Sequence, residues 1–446
     1  MSALAELFVR RGIAVSGCDA NLAGVEDLKR LGIPMSQGHD ASHVDNCRAV
    51  VVTSAMPRQH PELRRARELG LPLVRRAEAL GLAVNSGRLV AVAGTHGKST
   101  TTTLATEALR SAGLKPTGLV GARVAAWQGN LRRGGDDLFV VEADEYDRSF
   151  LTLKPTVAVI TNVEADHLDI YRDLDDIRST FAAFAAPARF VVLCADDEGA
   201  RSVPLPATAE IIRYGLSGGE APSADARLVA RLVARHVRRA TQGLGSSCRV
   251  YFDGDDLGEL AIRLPGDHNL RNALAAVGAG LAMGATLDAM RPGLADVEGA
   301  ERRFQLLGER RGITVIDDYA HHPTEIDATV AAARVAYPGR RIVAAFQPHL
   351  YTRTRDFAAA FGQALAGADV ALLADLYPAR EQPIDGVSSA LIAEAARGAG
   401  RAVLWEGPRE AMASALERAV RPGDVVITLG AGDITKTGPE LLHLLA

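Results

Sequence analysis

The stretch Leu89-Val90-Ala91-Val92-Ala93-Gly94-Thr95-His96-Gly97-Lys98-Ser99-Thr100 decides the fold. Its first five residues are an unbroken apolar run of strand length, which predicts a strand buried on both faces, as parallel sheets require. Gly94 and Gly97 then break the run, and a helix is expected from Ser99 to about Ser111. Strand, glycine loop and helix N-terminus in that order make an anion cradle. Glycines admit backbone N–H groups close to phosphates, the helix start favours negative charge, Lys98 can neutralise a transferring phosphate, and the Ser99 hydroxyl can ligate Mg²⁺. The loop departs from the common spacing, because Val92 stands where a first glycine is usual. Gly94, Thr95, His96, Gly97, Lys98, Ser99 and Thr100 are the ATP-binding candidates, with a glycine-capped turn as the bland alternative. The chain's only lysines are Lys29, Lys98, Lys115, Lys154 and Lys436, so a lysine in this loop is not background.

Two further strand ends and one helix start carry polar clusters. Glu142-Ala143-Asp144-Glu145-Tyr146-Asp147 follows an expected strand at Leu138 to Val141, and like charges so close call for a cation. Thr161-Asn162-Val163-Glu164-Ala165-Asp166-His167 follows one at Val157 to Thr161, and a neutral imidazole on His167 could add a ligand. Gly266-Asp267-His268-Asn269-Leu270-Arg271-Asn272 opens an alanine-rich helix. There Asn269 and Asn272, at i and i+3, could read an adenine edge or simply cap the helix. Strands near Ile13 to Ser16 and Ala49 to Thr53, with helices between, give the first segment a βαβ rhythm, and the glycine-bearing stretch from about Gly215 to Arg263 reads as an antiparallel edge.

After about Gly293 to Ala300 the rhythm repeats, with strands at Ile313 to Ile316, Arg341 to Phe346, Val370 to Ala374, Ala402 to Trp405 and Asp424 to Thr428. A doubly wound sheet follows. Arg302-Arg303-Phe304, then Asp317-Asp318-Tyr319-Ala320-His321-His322-Pro323-Thr324-Glu325, hold more acids and histidines than a helix cap needs. Phe346-Gln347-Pro348-His349-Leu350-Tyr351-Thr352-Arg353-Thr354-Arg355 brings arginines suited to carboxylate or phosphate.

Composition sets the outer limits. The 446 residues predict about three domains. With 48% hydrophobic and 23% charged residues, each can bury a core, which excludes disorder, collagen and a disulfide scaffold. A net charge of −4 excludes nucleic-acid binding by bulk positive potential. Cys18, Cys47, Cys194 and Cys248 lie far apart and read as reduced cytosolic thiols. The longest apolar run, Ala273 to Ala285, is too short to cross a membrane.

Gly94 to Thr100, Glu142 to Asp147, Thr161 to Tyr171, His268 to Asn272, Arg302 to Phe304, Asp317 to Glu325 and Phe346 to Asp356, in this order, resemble the Mur ligases over essentially the whole chain. The resemblance implies an α/β, three-domain architecture: an incomplete Rossmann-like UDP-sugar domain (1–86), a central P-loop ATPase-like domain (87–297) and a Rossmann-like C-terminal ligase domain (298–446). It implies an ATP-dependent, cytoplasmic ligase, monomer or homodimer, that binds neither nucleic acid nor membrane. The branch most resembled joins L-alanine to the carboxylate of UDP-N-acetylmuramate through an acyl phosphate. Lys98 and the loop would hold phosphates, Ser99, Glu142 and His167 would hold Mg²⁺, and His268, Asn269 and Asn272 would take the adenine. Arg303, Asp318, His322, His349 and the Arg353/Arg355 pair would position nucleotide, L-alanine and the acyl phosphate, with Asp19 and Ser54 on the uridine side. Family members place a strand and a glycine-rich turn before the helix that here starts at Met1, so the first domain is expected to lack that diphosphate-gripping turn. Ligases acting later on the stem peptide use a carbamylated lysine, but no lysine lies between Lys154 and Lys436. A recycling ligase that attaches a tripeptide, and a nucleotide-binding homologue that no longer catalyses, remain as alternatives.

Overall fold

The structure, a computed structural model, describes every residue except 23, 54–55, 58, 169, 217–229, 241–243 and 380. The chain divides into two compact units. One comprises residues 1–235, 250–258 and 271–294; the other comprises 236–249, 259–270 and 295–446.

In the first unit, β1 (Gly17–Asp19) pairs in parallel with β2 (Met35–Gln37), and β3 (Val50–Val52) with β4 (Leu73–Arg75). These are separate two-stranded sheets of three-residue strands, not one wound sheet. The strand expected at Ile13 to Ser16 lies later, at β1, because the first helix, Ser2–Arg10, ends in a turn at Arg11 and Gly12.

The large sheet is built from β5 (Arg88–Ala93), β6 (Thr117–Val124), β7 (Gly129–Arg132), β8 (Leu138–Glu142), β9 (Val157–Ile160), β10 (Phe190–Cys194), β11 (Glu210–Leu216), β12 (Leu232–Arg239), β13 (Ser246–Phe252) and β14 (Asp255–Ile262). Its order is β14-β13-β12-β11-β10-β9-β5-β8-β6-β7. The strand of the deciding stretch is central: β5 lies parallel between β9 and β8, and Leu89 through Ala93 are fully buried. Phe150 packs edge-on to Phe181 at 5.2 Å and face-to-face with Phe184 at 4.8 Å, in the core that also holds Leu4 and Leu7 of the first helix. Burying such a phenylalanine stabilises by about 2–3 kcal/mol. The expected antiparallel edge begins with a parallel pairing, β11 on β12, and the turn between β13 and β14 passes through Asp253 and Gly254, both at positive φ.

The second unit carries a six-stranded sheet ordered β15-β16-β20-β17-β18-β19. Its strands are β15 (Gln305–Arg310), β16 (Ile313–Asp318), β17 (Ile342–Phe346), β18 (Val370–Ala374), β19 (Ala402–Gly407) and β20 (Val425–Leu429). All run parallel except β15, a hairpin partner of β16. Alternation along the strands fills two cores: Ile316, Ala344, Phe346 and Ile427 face one, Val315, Val343, Ala345 and Val426 the other.

Candidate active site

Because β5, β8 and β9 are parallel neighbours, their carboxyl ends bring three sequence clusters together, as open α/β sheets do with ligand sites. Gly94, at φ 142°, leaves β5 against Thr161, where a Cβ would fall 1.9 Å from the hydroxyl oxygen. Gly97, at φ 82°, precedes the helix Lys98–Ser111, and a Cβ there would lie 2.5 Å from Asn272 Oδ1. Residues after β9 fix the loop: His96 N–H donates to Asn162 Oδ1 (2.7 Å), the Thr161 hydroxyl to His96 O (2.6 Å) and Glu164 N–H to Thr95 Oγ1 (2.9 Å).

Lys98 Nζ donates to Gly94 O (2.7 Å), Thr95 O (3.1 Å) and Glu145 Oε1 (2.9 Å). Burial alone would favour the neutral amine, but the carboxylates of Glu145, Asp144 and Glu142 hold the Lys98 pKa above the ordinary lysine value. Burial pushes Glu145 up to about 7, against the pull of Lys98. Ser99 Oγ donates to Glu142 Oε2 at 2.9 Å, and Gly121 N–H to the same oxygen at 2.7 Å. A hydroxyl and a carboxylate side by side at a glycine loop are hard oxygen donors, the set that suits Mg²⁺. His167, at φ 53°, sets its Nε2 3.8 Å from both Glu145 Oε1 and Asp166 Oδ2.

Asn269 is buried and donates to Pro265 O at 2.8 Å, so its amide closes the first turn of the helix Asp267–Ala282 that His268 also opens. Asp19, at the end of β1, accepts from Asn21 N–H (2.9 Å). Ser54 lies outside the described residues.

The second unit gathers its own cluster at the ends of β16 and β17. Asp318 is buried, accepts from Phe304 N–H (2.7 Å) and Ala320 N–H (2.8 Å), and is pushed up to about 6 by burial, while Arg303 pulls the other way. Arg302 and Arg303 both lie over the Tyr319 ring, at 4.9 and 5.2 Å. Glu325 pairs with Arg303 (3.5 Å) and His321 (3.1 Å) and accepts from His322 N–H (3.3 Å), capping the helix Pro323–Ala336. His322 is buried edge-on to Phe357, and His349 stacks on Tyr377 at 5.8 Å. The Arg353/Arg355 pair is not brought together: i and i+2 leave a helix on different sides, so Arg353 is buried while Arg355 is exposed and pairs with Asp356 at 2.7 Å. Sequence reasoning gave no role to Glu145, Asn162 or Glu325; for Glu145 the only signal was four carboxylates in a short run.

Known proteins show the same layout. The Mur ligase catalytic domain matches residues 1–88, the middle domain 92–280 and the glutamate ligase domain 302–432. The UDP-N-acetylmuramate–L-alanine ligase of Acidothermus cellulolyticus is 44% identical over all of this chain and 92% of its own length; that of Streptomyces avermitilis is 42% identical over all of this chain and 95% of its own. The solved UDP-N-acetylmuramate–alanine ligase of Thermotoga maritima superposes with a TM-score of 0.82 at 26% identity, covering all of this chain and 96% of that one. A murein peptide ligase from Psychrobacter arcticus shares the fold at a TM-score of 0.71 and 24% identity, over all of this chain and 96% of its own. With three family domains matched in order and relatives above 40% identical over its whole length, the chain belongs to the Mur ligase family.

Proposed function

We propose that this ligase joins L-alanine to the carboxylate of UDP-N-acetylmuramate, converting ATP to ADP and phosphate, in the cytoplasmic synthesis of peptidoglycan precursors. The observation that carries the reading is the loop at β5, with Lys98 and the Ser99–Glu142 pair, in a chain whose full-length relatives bear that activity in their names. A carboxylate has a poor leaving group, so the sugar's carboxylate first takes the γ-phosphoryl of ATP. The amine of L-alanine then attacks the acyl phosphate, the C–N bond forms, and phosphate leaves with the C–O electrons.

Lys98 and the N–H groups of Gly94–Thr100 bind the phosphates and offset the charge of two meeting anions. Ser99, Glu142 and His167 are the groups that would hold Mg²⁺, which supplies charge neutralisation at the phosphates when bound. Asn272, beside Gly97, and the neighbouring His268 and Asn269 take the adenine side. Arg303, Asp318 and His322 orient the reacting groups, with His349 and Arg353 as further substrate contacts, and Asp19 and Ser54 serve the uridine. We place the domain boundaries near residues 86 and 298. The reading is tested with purified protein: with ATP, Mg²⁺ and UDP-N-acetylmuramate present, L-alanine should stimulate phosphate release and yield one amide per ATP. Release that ignores alanine and responds to a tripeptide would overturn it.

A further inference from the structure

Outside the phosphate loop and the second unit's polar cluster, the first unit holds a group of side chains that the ligase chemistry does not use. Cys18 is the middle residue of β1, His39 lies two residues beyond β2, and Glu62 sits in the first turn of the helix Pro61–Glu68. One potential ligand atom from each falls within 4.8 Å of the other two. Cys18 Sγ is 3.4 Å from His39 Nδ1 and 3.0 Å from Glu62 Oε1, and His39 Nδ1 is 3.8 Å from that same oxygen.

These distances discriminate. Metal–sulfur bonds of about 2.3 Å and metal–nitrogen or metal–oxygen bonds of about 2.0–2.2 Å in a tetrahedron put ligand atoms about 3.4–3.6 Å apart. The observed triangle straddles that span. Glu62 is only 3% exposed, and among the described residues its ionic partners are imidazoles, those of His39 and His43, with no lysine or arginine. Its Oε1 accepts from the Cys18 thiol, so the carboxylate already faces the sulfur. His43 Nδ1 lies 2.8 Å from the same Glu62 Oε1, and His60 packs edge-on against His39 at 4.6 Å. Outer partners of this kind are what metal ligands ordinarily have.

We propose that Cys18, His39 and Glu62 form a binding site for a zinc-class divalent ion, separate from the Mg²⁺ expected at the phosphate loop. Sulfur and nitrogen donors select a borderline-soft ion over Mg²⁺ or Ca²⁺. As the metal–sulfur bond forms, the Cys18 thiol gives its proton to solvent, so affinity rises with pH. Three protein ligands leave a fourth position for water or a small ligand. The ion would tie together β1, the turn after β2 and the helix Pro61–Glu68, in a region whose sheets have only two short strands each.

Co²⁺ is the probe, added to full-length protein freed of metal by chelator. The expected result is one equivalent bound with a thiolate-to-cobalt charge-transfer band and the intense d–d bands of a tetrahedral site. Zn²⁺, but not millimolar Mg²⁺, should abolish both and raise Tm. Cys18→Ser should lose the charge-transfer band, His39→Ala should weaken Co²⁺ binding by roughly tenfold or more, and Cys47→Ser should keep the wild-type spectrum. Circular dichroism establishes that each variant is folded; if Cys18→Ser is not, His39→Ala decides. No charge-transfer band in the wild type, a band undiminished by Cys18→Ser, or affinity unchanged by His39→Ala would overturn the proposal.

Discussion

Asp318 accepts two backbone N–H bonds yet is pushed up to about 6, because removing its carboxylate from water outweighs both bonds and the attraction of Arg303. A pKa raised on folding means the folded protein holds that proton more tightly. The stabilisation is full below the unfolded value of roughly 4 and is lost as pH rises through about 6, some 3 kcal/mol in all. Denaturant titrations across that window should show stability falling with pH, and Asp318→Asn should flatten that part of the slope. Lys98, held charged by three carboxylates, should be indispensable: Lys98→Ala is expected to lower kcat by at least about 10²-fold with the fold retained by circular dichroism. The motifs were legible at this scale, but not the division of labour within them. Four acidic residues from Glu142 to Asp147 are equivalent on paper until β8 sets Glu142 beside Ser99 and the following loop turns Glu145 to Lys98. That loop turns through Asp147 and Arg148 at φ 54°, and His167, Arg302, Phe304 and Leu350 also take positive φ inside the singled-out segments. Such strain is kept where function fixes geometry, and no residue type announced it beforehand.

Among elements, the ones with the strongest pattern were read correctly. The run Leu89 to Ala93 became the central strand because an all-apolar strand needs cover on both faces. β15 escaped notice: Gln305–Arg310 is polar at both ends and broken by Gly308, and only pairing with β16 makes it a strand. The Gly97 turn carries a prediction of its own. Gly97→Ala sets a Cβ at positive φ and 2.5 Å from Asn272 Oδ1, so it should cost about 1–2 kcal/mol and weaken ATP binding roughly tenfold, measured by calorimetry. Glu325→Ala removes the cap of the helix Pro323–Ala336 and the ion pairs to Arg303 and His321. Tm should fall by an amount corresponding to about 1 kcal/mol, with a larger loss in kcat than in stability, because His321 and His322 lose their anchor.

Over the whole molecule, the order of the motifs carried more information than any one motif. A glycine loop, two acidic strand ends, an asparagine-bearing helix, a strand end with two histidines and one with two arginines occur in the order of the matched family domains. What the order could not convey is how short the first segment's strands are, since three-residue strands leave too little alternation to read. The central claim is the identity of the two substrates joined. It is tested most directly by following phosphate release and product mass with ATP, Mg²⁺, UDP-N-acetylmuramate and L-alanine. The account predicts release that depends on alanine and a product heavier than the sugar nucleotide by one alanyl residue. No stimulation by alanine, with phosphate released and product formed only when a tripeptide is supplied, would contradict it.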